Sequence, residues 1–188
     1  MPNVAARRVL VPIADGTEEI EAVCIIDVLR RAGLAVTVAS VGALQITASR
    51  GVKLVADCLI DECQGKPYDM VVLPGGIPGA ENLRDSDVLA EILKAQRAAG
   101  GWLGAICAAP AVVLAAHALL RGCRATAHPA FVEQLEDQTR VDERVVVDGR
   151  CVTSRGPGTA LEFALRLVAL LCGEDKAREV AAPMLLPP

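Results

Sequence analysis

In the segment Trp102-Leu103-Gly104-Ala105-Ile106-Cys107-Ala108-Ala109-Pro110, a short apolar run stops at a cysteine. Trp102 to Ile106 reads as a buried strand. From Ala108 the chain is rich in Ala, Val and Leu with no turn cluster in between, and Pro110 suits the first turn of a helix, where its missing N–H costs nothing. Cys107 therefore stands at a strand–helix joint, the nucleophile-elbow position from which parallel α/β sheets present their working residues. A helix N-terminus behind a thiol favours the thiolate, which is the nucleophilic form. The plainer reading of a cysteine in an apolar run is a small core residue.

Outward from this elbow, strands and helices alternate. Upstream, Arg8 to Ile13 is a buried strand, Asp15-Gly16-Thr17 a turn carrying cap residues, and a helix is predicted from about Glu18 to Arg31, ended by Gly33. Its apolar stripe holds Ile20, Val23, Cys24 and Val28, with Ile25 displaced toward the flank; so wide a face can bury against both the sheet and a second subunit. Leu34 to Val41 is the next strand, and such strand–helix–strand units are parallel and right-handed. Leu44 to Ala48 and Val52 to Ala56 read as a hairpin around Ser49-Arg50-Gly51. Met70 to Leu73 is a strand running into Pro74-Gly75-Gly76-Ile77-Pro78-Gly79, and Asp85 or Ser86 caps a helix that reaches about Ala99 before Gly100-Gly101.

Downstream, Arg124 to Ala127 is a short strand before His128-Pro129, and Phe131 to Leu135 a helical turn. Val145 to Val147 and Cys151 to Thr153 form a hairpin across Asp148-Gly149. Ser154 to Thr159 is a loop, Ala160 to Leu171 an amphipathic helix, and Glu174 to Ala182 a last short one. The alternation predicts an α/β three-layer sandwich with a mostly parallel central sheet. Without linker or repeat, residues 1–188 read as one domain.

Composition narrows the function classes. Hydrophobic residues make up 53% and aromatic residues 2%, so the core must be aliphatic, and a net charge of −4 leaves no basic footprint for dedicated nucleic-acid binding. The seven cysteines, at 24, 58, 63, 107, 123, 151 and 172, are odd in number and contain no C-x-x-C pair. His117 and His128 are separated by an apolar stretch with no cysteine pair nearby, so neither a metal nor another cofactor is expected. Reduced thiols fit a cytoplasmic compartment. Arg7 and Arg8 are followed by only a short apolar run, so no secretory signal is read there. Trp102 to Leu120 is 19 residues without formal charge, the length of a membrane span. Gly104 and Pro110 interrupt it, however, and a buried strand plus helix accounts for its composition, so no membrane partner is expected.

Three further groups bear on chemistry. Gly75-Gly76 follows a strand but lacks the P-loop lysine and the three-glycine dinucleotide spacing. The pair is either a tight turn or a set of backbone N–H groups which, with that of Ala108, would hold an oxyanion. Glu18, Glu19 and Glu21 complement a helix dipole, and that suffices for Glu18 and Glu19. Glu21 lies one turn before Cys24 and Ile25 at the edge of the apolar face, after a strand ending on the same side as Cys107. A carboxyl held there beside a thiol tends to keep its proton and donate it to the thiolate. His128 follows a strand at its carboxyl end, either as a base or as an ordinary loop residue before proline.

These blocks together resemble the ThiJ/PfpI superfamily, in its parkinsonism-associated deglycase and YajL-like branch. The resemblance rests on Asp15-Gly16-Thr17-Glu18-Glu19-Ile20-Glu21, Ser49-Arg50-Gly51-Val52, Val72-Leu73-Pro74-Gly75-Gly76, Ala105-Ile106-Cys107-Ala108-Ala109-Pro110, His128-Pro129 and Thr153-Ser154-Arg155-Gly156-Pro157-Gly158-Thr159. It implies a flavodoxin-like sandwich and a homodimer. It also implies Cys107 as the reactive cysteine, Glu21 as its carboxyl partner and His128 as the nearby histidine. Glu18, Arg31, Arg50, Arg155 and Pro157 match positions at the pocket rim and dimer seam. Protease-like members carry histidine directly after the nucleophile, whereas Ala108 stands here. Amidotransferases on a related fold use Gly-x-Cys-x-Gly and a distant His-x-Glu, whereas this chain has Ala105-Ile106-Cys107-Ala108-Ala109 and His128-Pro129-Ala130.

The activity so implied is glutathione-independent conversion of glyoxal or methylglyoxal to a hydroxy acid, with removal of early glycation adducts from protein or nucleotides. The other class the same residues serve is a redox sensor or holdase in which Cys107 climbs to sulfinate.

Overall fold

Val9, Leu10, Val11 and Ile13 follow one another without polar alternation, a pattern that only a strand covered on both faces can satisfy. In the computed structural model, which describes residues 7–186, all four are essentially inaccessible to solvent. They form β1 (Arg8–Ile13), an inner strand of a sheet with helices on both sides. The chain continues through α1 (Glu19–Arg31), β2 (Ala35–Ser40), a hairpin of β3 (Gln45–Thr47) and β4 (Lys53–Val55), β5 (Cys58–Leu59), β6 (Met70–Leu73), α2 (Gly79–Arg84) and α3 (Asp87–Ala98). It then passes through β7 (Trp102–Ile106), a helical segment over Pro110–Ala115, β8 (Val145–Asp148), β9 (Cys151–Ser154), α4 (Ala160–Cys172) and α5 (Glu174–Ala181).

The strand order is β5-β2-β1-β6-β7-β9-β8, parallel throughout except for β8, which pairs antiparallel with β9 at the edge. This is the expected α/β sandwich. From β1 the chain winds outward to β2 on one side, and from β6 outward to β7 on the other. The switch point thus lies between β1 and β6, where open α/β sheets form their crevice. Ile25, Leu29, Phe163 and Leu167 of α1 and α4 fill one face; Leu83, Leu89, Leu93 and Leu114 fill the other.

Several expectations are corrected. On α1 the buried apolar residues are Ala22, Ile25, Val28 and Leu29, whereas Ile20 and Val23 are 53% and 47% exposed. The inward stripe is therefore rotated from the expected one: Ile25 lies at its centre, and Ile20 and Val23 face away from the sheet. The elbow helix is wound wider than an α-helix, as a π-helix over Pro110–Ala115. Arg124 to Ala127 forms no strand. The N–H of Arg124 goes to Asp148 Oδ2 (2.8 Å) and that of Thr126 to Thr153 Oγ1 (2.9 Å), so side-chain acceptors replace the carbonyls a ladder needs. β5 and α2 were not anticipated; two and six residues are too short for a periodic signal. The 102–120 stretch divides at Cys107, and no helix among the described residues is long and apolar enough to cross a membrane.

Candidate active site

Cys107 follows the carboxyl end of β7 and has φ 64°, a left-handed conformation that a non-glycine residue adopts only when its surroundings hold it there. Both of its backbone groups are held: its N–H donates to Ser154 O at the end of β9 (3.0 Å), and its carbonyl accepts from the N–H of His128 (2.8 Å). The elbow is thus clamped from two sides, and the thiol is turned out of the sheet top, 9% exposed.

Around the sulfur stand the backbone N–H groups of Gly76 and Ala108, which favour its charged form, and the carboxyl of Glu21. Glu21 is fully buried in the first turn of α1. Its Oε2 accepts from the N–H of Gly75 (2.8 Å), while Oε1 is buried with no hydrogen-bond partner among the described residues. The thiol lies beside this carboxyl, close enough for each acid to act on the other's ionisation. Burial pushes the Glu21 carboxyl up to about 7, against the Gly75 N–H and Cys107, which pull it down. Burial, reinforced by the Glu21 charge, pushes the Cys107 thiol up to about 12. Between those values the pair holds one proton.

Gly75 and Gly76 belong to the site because nothing larger fits. A Cβ on Gly75 would lie 2.6 Å from Cys107 Cβ and 2.9 Å from Glu21 Oε2; on Gly76 it would lie 2.4 Å from Gly16 O, and φ there is 90°. One expectation changes: the N–H of Gly75 is taken by Glu21, which leaves only those of Gly76 and Ala108 facing the sulfur.

His128 is brought to the elbow by its backbone. Its Nδ1 accepts from the N–H of Ala130 (3.2 Å), so a neutral imidazole carries its proton on Nε2 and offers a donor there rather than a base. The ring borders a cavity of about 280 Å³ with Arg155, Gly156 and Pro157. Larger hollows of about 290 and 330 Å³ lie away from Cys107, one between α4 and α5 and one below the elbow helix.

The remaining rim residues separate. Glu18 caps α1, its Oε2 accepting from the N–H of Glu21 (2.7 Å), and its own N–H bonds Gly75 O (2.9 Å). Glu19 is also structural: it accepts from Ser49 Oγ (2.7 Å) and from the N–H of Arg50 (2.8 Å), fastening the β3–β4 hairpin to α1. Arg50 is exposed. Arg31 does not reach the site: it lies ten residues beyond Glu21, roughly 15 Å along the helix, and pairs with Asp27. Arg155 reaches the carbonyl of Asp142 (3.2 Å). Among the described residues no three His, Cys, Asp or Glu side chains are grouped to hold a metal, and all seven cysteines are free.

The profile of the DJ-1/PfpI family matches residues 7–170. The chain is 51% identical to Protein DJ-1 homolog B of Arabidopsis thaliana over 95% of its own length, and spans only 41% of that relative. It is 37% identical to the Caenorhabditis elegans protein named glutathione-independent glyoxalase DJR-1.2, over 95% of each. The solved structure of oxidised Toxoplasma gondii DJ-1 superposes with a TM-score of 0.95 at 48% identity, covering 97% of this chain and all of that one.

Proposed function

The chain belongs to the DJ-1/PfpI family, and from that premise we propose that it is a stress-protective enzyme using Cys107 on reactive carbonyls, a glutathione-independent glyoxalase and deglycase. The observation that carries this reading is the composition of the Cys107 site: a strained thiol, two N–H groups at its sulfur, and one buried carboxyl with an unpartnered oxygen. The nematode relative's name supports the substrate class.

The single proton held by Glu21 and Cys107 has two places to sit. Burial favours the proton on the thiol, whereas the N–H groups of Gly76 and Ala108 favour charge on the sulfur and the Gly75 N–H favours charge on the carboxylate. The reactive form is the one in which the proton has passed to Glu21, directed at a Cys107 thiolate. The thiolate adds to the aldehyde carbon of methylglyoxal, forming a C–S bond and an alkoxide that the N–H groups of Gly76 and Ala108 hold. Glu21 gives its proton to that oxygen, then carries the C1 proton to C2 while the hydroxyl proton passes from the C1 oxygen to the C2 oxygen, leaving the thioester of a 2-hydroxy acid. Water cleaves it to lactate and restores the thiol. Methylglyoxal plus water equals lactate plus a proton, so no external oxidant enters. His128 holds the elbow through its N–H and offers a donor at Nε2 to the substrate's second oxygen. On a glycation adduct, the same addition precedes release of the amine.

Lactate production from methylglyoxal without added thiol tests this: wild type should turn over and Cys107→Ser should not. Equal rates would overturn it.

A second reading, oxidation of Cys107 to sulfinate as a sensor or holdase signal, draws on the same unpartnered Oε1, which would hydrogen-bond a sulfinate oxygen. The exposed Ile20 and Val23 on α1 suit burial against a second copy of the chain in a homodimer. Sedimentation should give twice 19.6 kDa, and a species of 19.6 kDa alone at micromolar concentration would rule the dimer out.

A further inference from the structure

Away from the elbow, Arg97 near the end of α3 is bound in an unusual way. Its Nη1 donates to Cys151 Sγ and its Nη2 to Cys123 Sγ, each at 3.4 Å, and among the described residues it has no carboxylate partner. A guanidinium ordinarily takes carboxylate or carbonyl oxygens; here both terminal nitrogens rest on thiols. The two thiols share this one guanidinium, and Cys123 is close enough to act on the ionisation of Cys151. Their backbones are held together as well. Arg124, next to Cys123, bonds Asp148, which is the strand partner of Cys151, and Thr126 bonds Thr153.

The two thiols differ in access. Cys151 opens β9 inside the sheet and is 1% exposed. Cys123 is half-buried and lines the cavity of about 330 Å³, with Arg121, Leu120 and Gln134 among its neighbours. A cation on a partly accessible sulfur makes the nucleophile, and a buried sulfur beside it makes the resolving partner.

We propose that Cys123, Cys151 and Arg97 form a second redox site, separate from Cys107, at which a hydroperoxide is reduced and the two cysteines become a reversible disulfide. The Cys123 thiolate attacks the peroxide oxygen: an S–O bond forms, the O–O bond breaks, and the departing oxygen leaves as alcohol or water after taking a proton. Cys151 then attacks the Cys123 sulfur. The S–S bond forms, the S–O bond breaks, and hydroxide leaves as water with the Cys151 proton. Two thiols supply the two electrons. Burial and the neighbouring Cys123 sulfur push the Cys151 thiol up to about 12, although Arg97 acts against them, which suits the partner that waits protonated. The site does not depend on the carbonyl chemistry proposed for Cys107.

The molecule contains its own comparison. Cys58 Sγ and Cys63 Sγ lie 3.7 Å apart with no guanidinium on either. Proximity alone would oxidise that pair as readily.

The experiment is peroxide titration of the full chain, followed by alkylation, trypsin digestion and mass spectrometry without reductant. The expected product joins Gly122–Arg124 to Cys151–Arg155 with the loss of two hydrogens, is undone by dithiothreitol, and forms equally in Cys107→Ser. Cys151→Ser should leave a Cys123 sulfenic acid that dimedone captures. Arg97→Gln should slow the joining by about threefold or more, since the thiolate then attacks without a cation on its sulfur. Arg97→Lys, which keeps the charge, should restore part of the rate and guards against a folding defect in the glutamine variant. The proposal is overturned if no joined peptide appears by the time half of Cys107 carries oxygen, if the Cys58–Cys63 pair joins first, or if Arg97→Gln oxidises at the wild-type rate with native circular dichroism.

Discussion

Cys107 and the Cys123–Cys151 pair put the same functional group into opposite electrostatic surroundings. Cys107 faces a carboxyl and two amide donors at the top of the sheet; Cys123 and Cys151 face a guanidinium at its flank. In the mechanism proposed above, charge beside Cys107 is removed by passing its proton to Glu21, whereas charge beside Cys123 is already of the favourable sign. A thiol next to an acid is suited to chemistry that moves a proton along with the sulfur, as addition to an aldehyde does. A thiol next to a fixed cation has no proton to lend and is suited to electron transfer to a peroxide.

The sharpest way to break this comparison is to exchange the sulfurs for oxygen. Cys107→Ser should cost about 10³-fold or more in methylglyoxal turnover, because the nucleophile is lost, while Cys123→Ser should stay near the wild-type rate. Comparable losses in the two variants would show that the sites are not separate. Next in size is the carboxyl. Iodoacetamide alkylation of Cys107 should rise through pH about 7 in wild type, where the pair loses its first proton. Glu21→Gln still donates to the sulfur and should keep most of this reactivity. Glu21→Asp misplaces the donor, and Glu21→Leu removes it, which should move the midpoint up by about one unit or more. A wild-type midpoint at that of a free thiol would dismiss the pairing.

Stability against pH gives a smaller effect with a definite sign. The Glu21 carboxyl stands at about 7 in the fold against 4.5 for its ordinary value, so the folded state holds the extra proton between those pH values. Stability therefore falls as pH rises through that window, and the loss is complete above pH 7 at about 3 kcal/mol. Glu21→Gln escapes it: urea unfolding should show the variant more stable than wild type by up to that amount at pH 8 and equal to it below pH 4.5. Smallest is the reverse effect two positions earlier. Burial would raise the Glu19 carboxyl, but hydrogen bonds from Ser49 and Arg50 outweigh it and hold it below its ordinary value. Its stabilisation is present above pH 4.5 and fades as pH falls through the lowered value, so Glu19→Gln should be less stable than wild type at pH 7, with the gap closing in acid. If both glutamine variants shift stability in the same direction, the difference between the two carboxyls is not one of hydrogen bonding.

Much of this molecule is legible in its residues alone. A run such as Arg8–Ile13 has one physical solution, a strand covered on both faces, and a strand that breaks at Cys107 before Pro110 has one joint at which to leave a side chain. These are short-range constraints of burial and backbone, so the alternation, the sheet type and the elbow follow from local pattern. The place of Glu21 one turn into α1 and of Gly75-Gly76 after a strand singles them out as candidates.

What the sequence left open depends on neighbours distant along the chain. The inward face of α1 cannot be read from the residues because Ile20 and Ile25 are equally apolar, and only the position of α4 decides which one is covered. Whether Gly75 offers its N–H to a substrate or to Glu21 is settled across 54 positions of chain. Arg97, Cys123 and Cys151 carry no shared motif and come from α3, a loop and β9; folding alone brings one guanidinium onto two sulfurs. Composition and spacing determine which elements form, since those depend on each residue's own burial and backbone preferences. Which side chains meet is decided by the packing of those elements, because hydrogen bonds and charge act over a few ångströms of space and take no account of sequence distance.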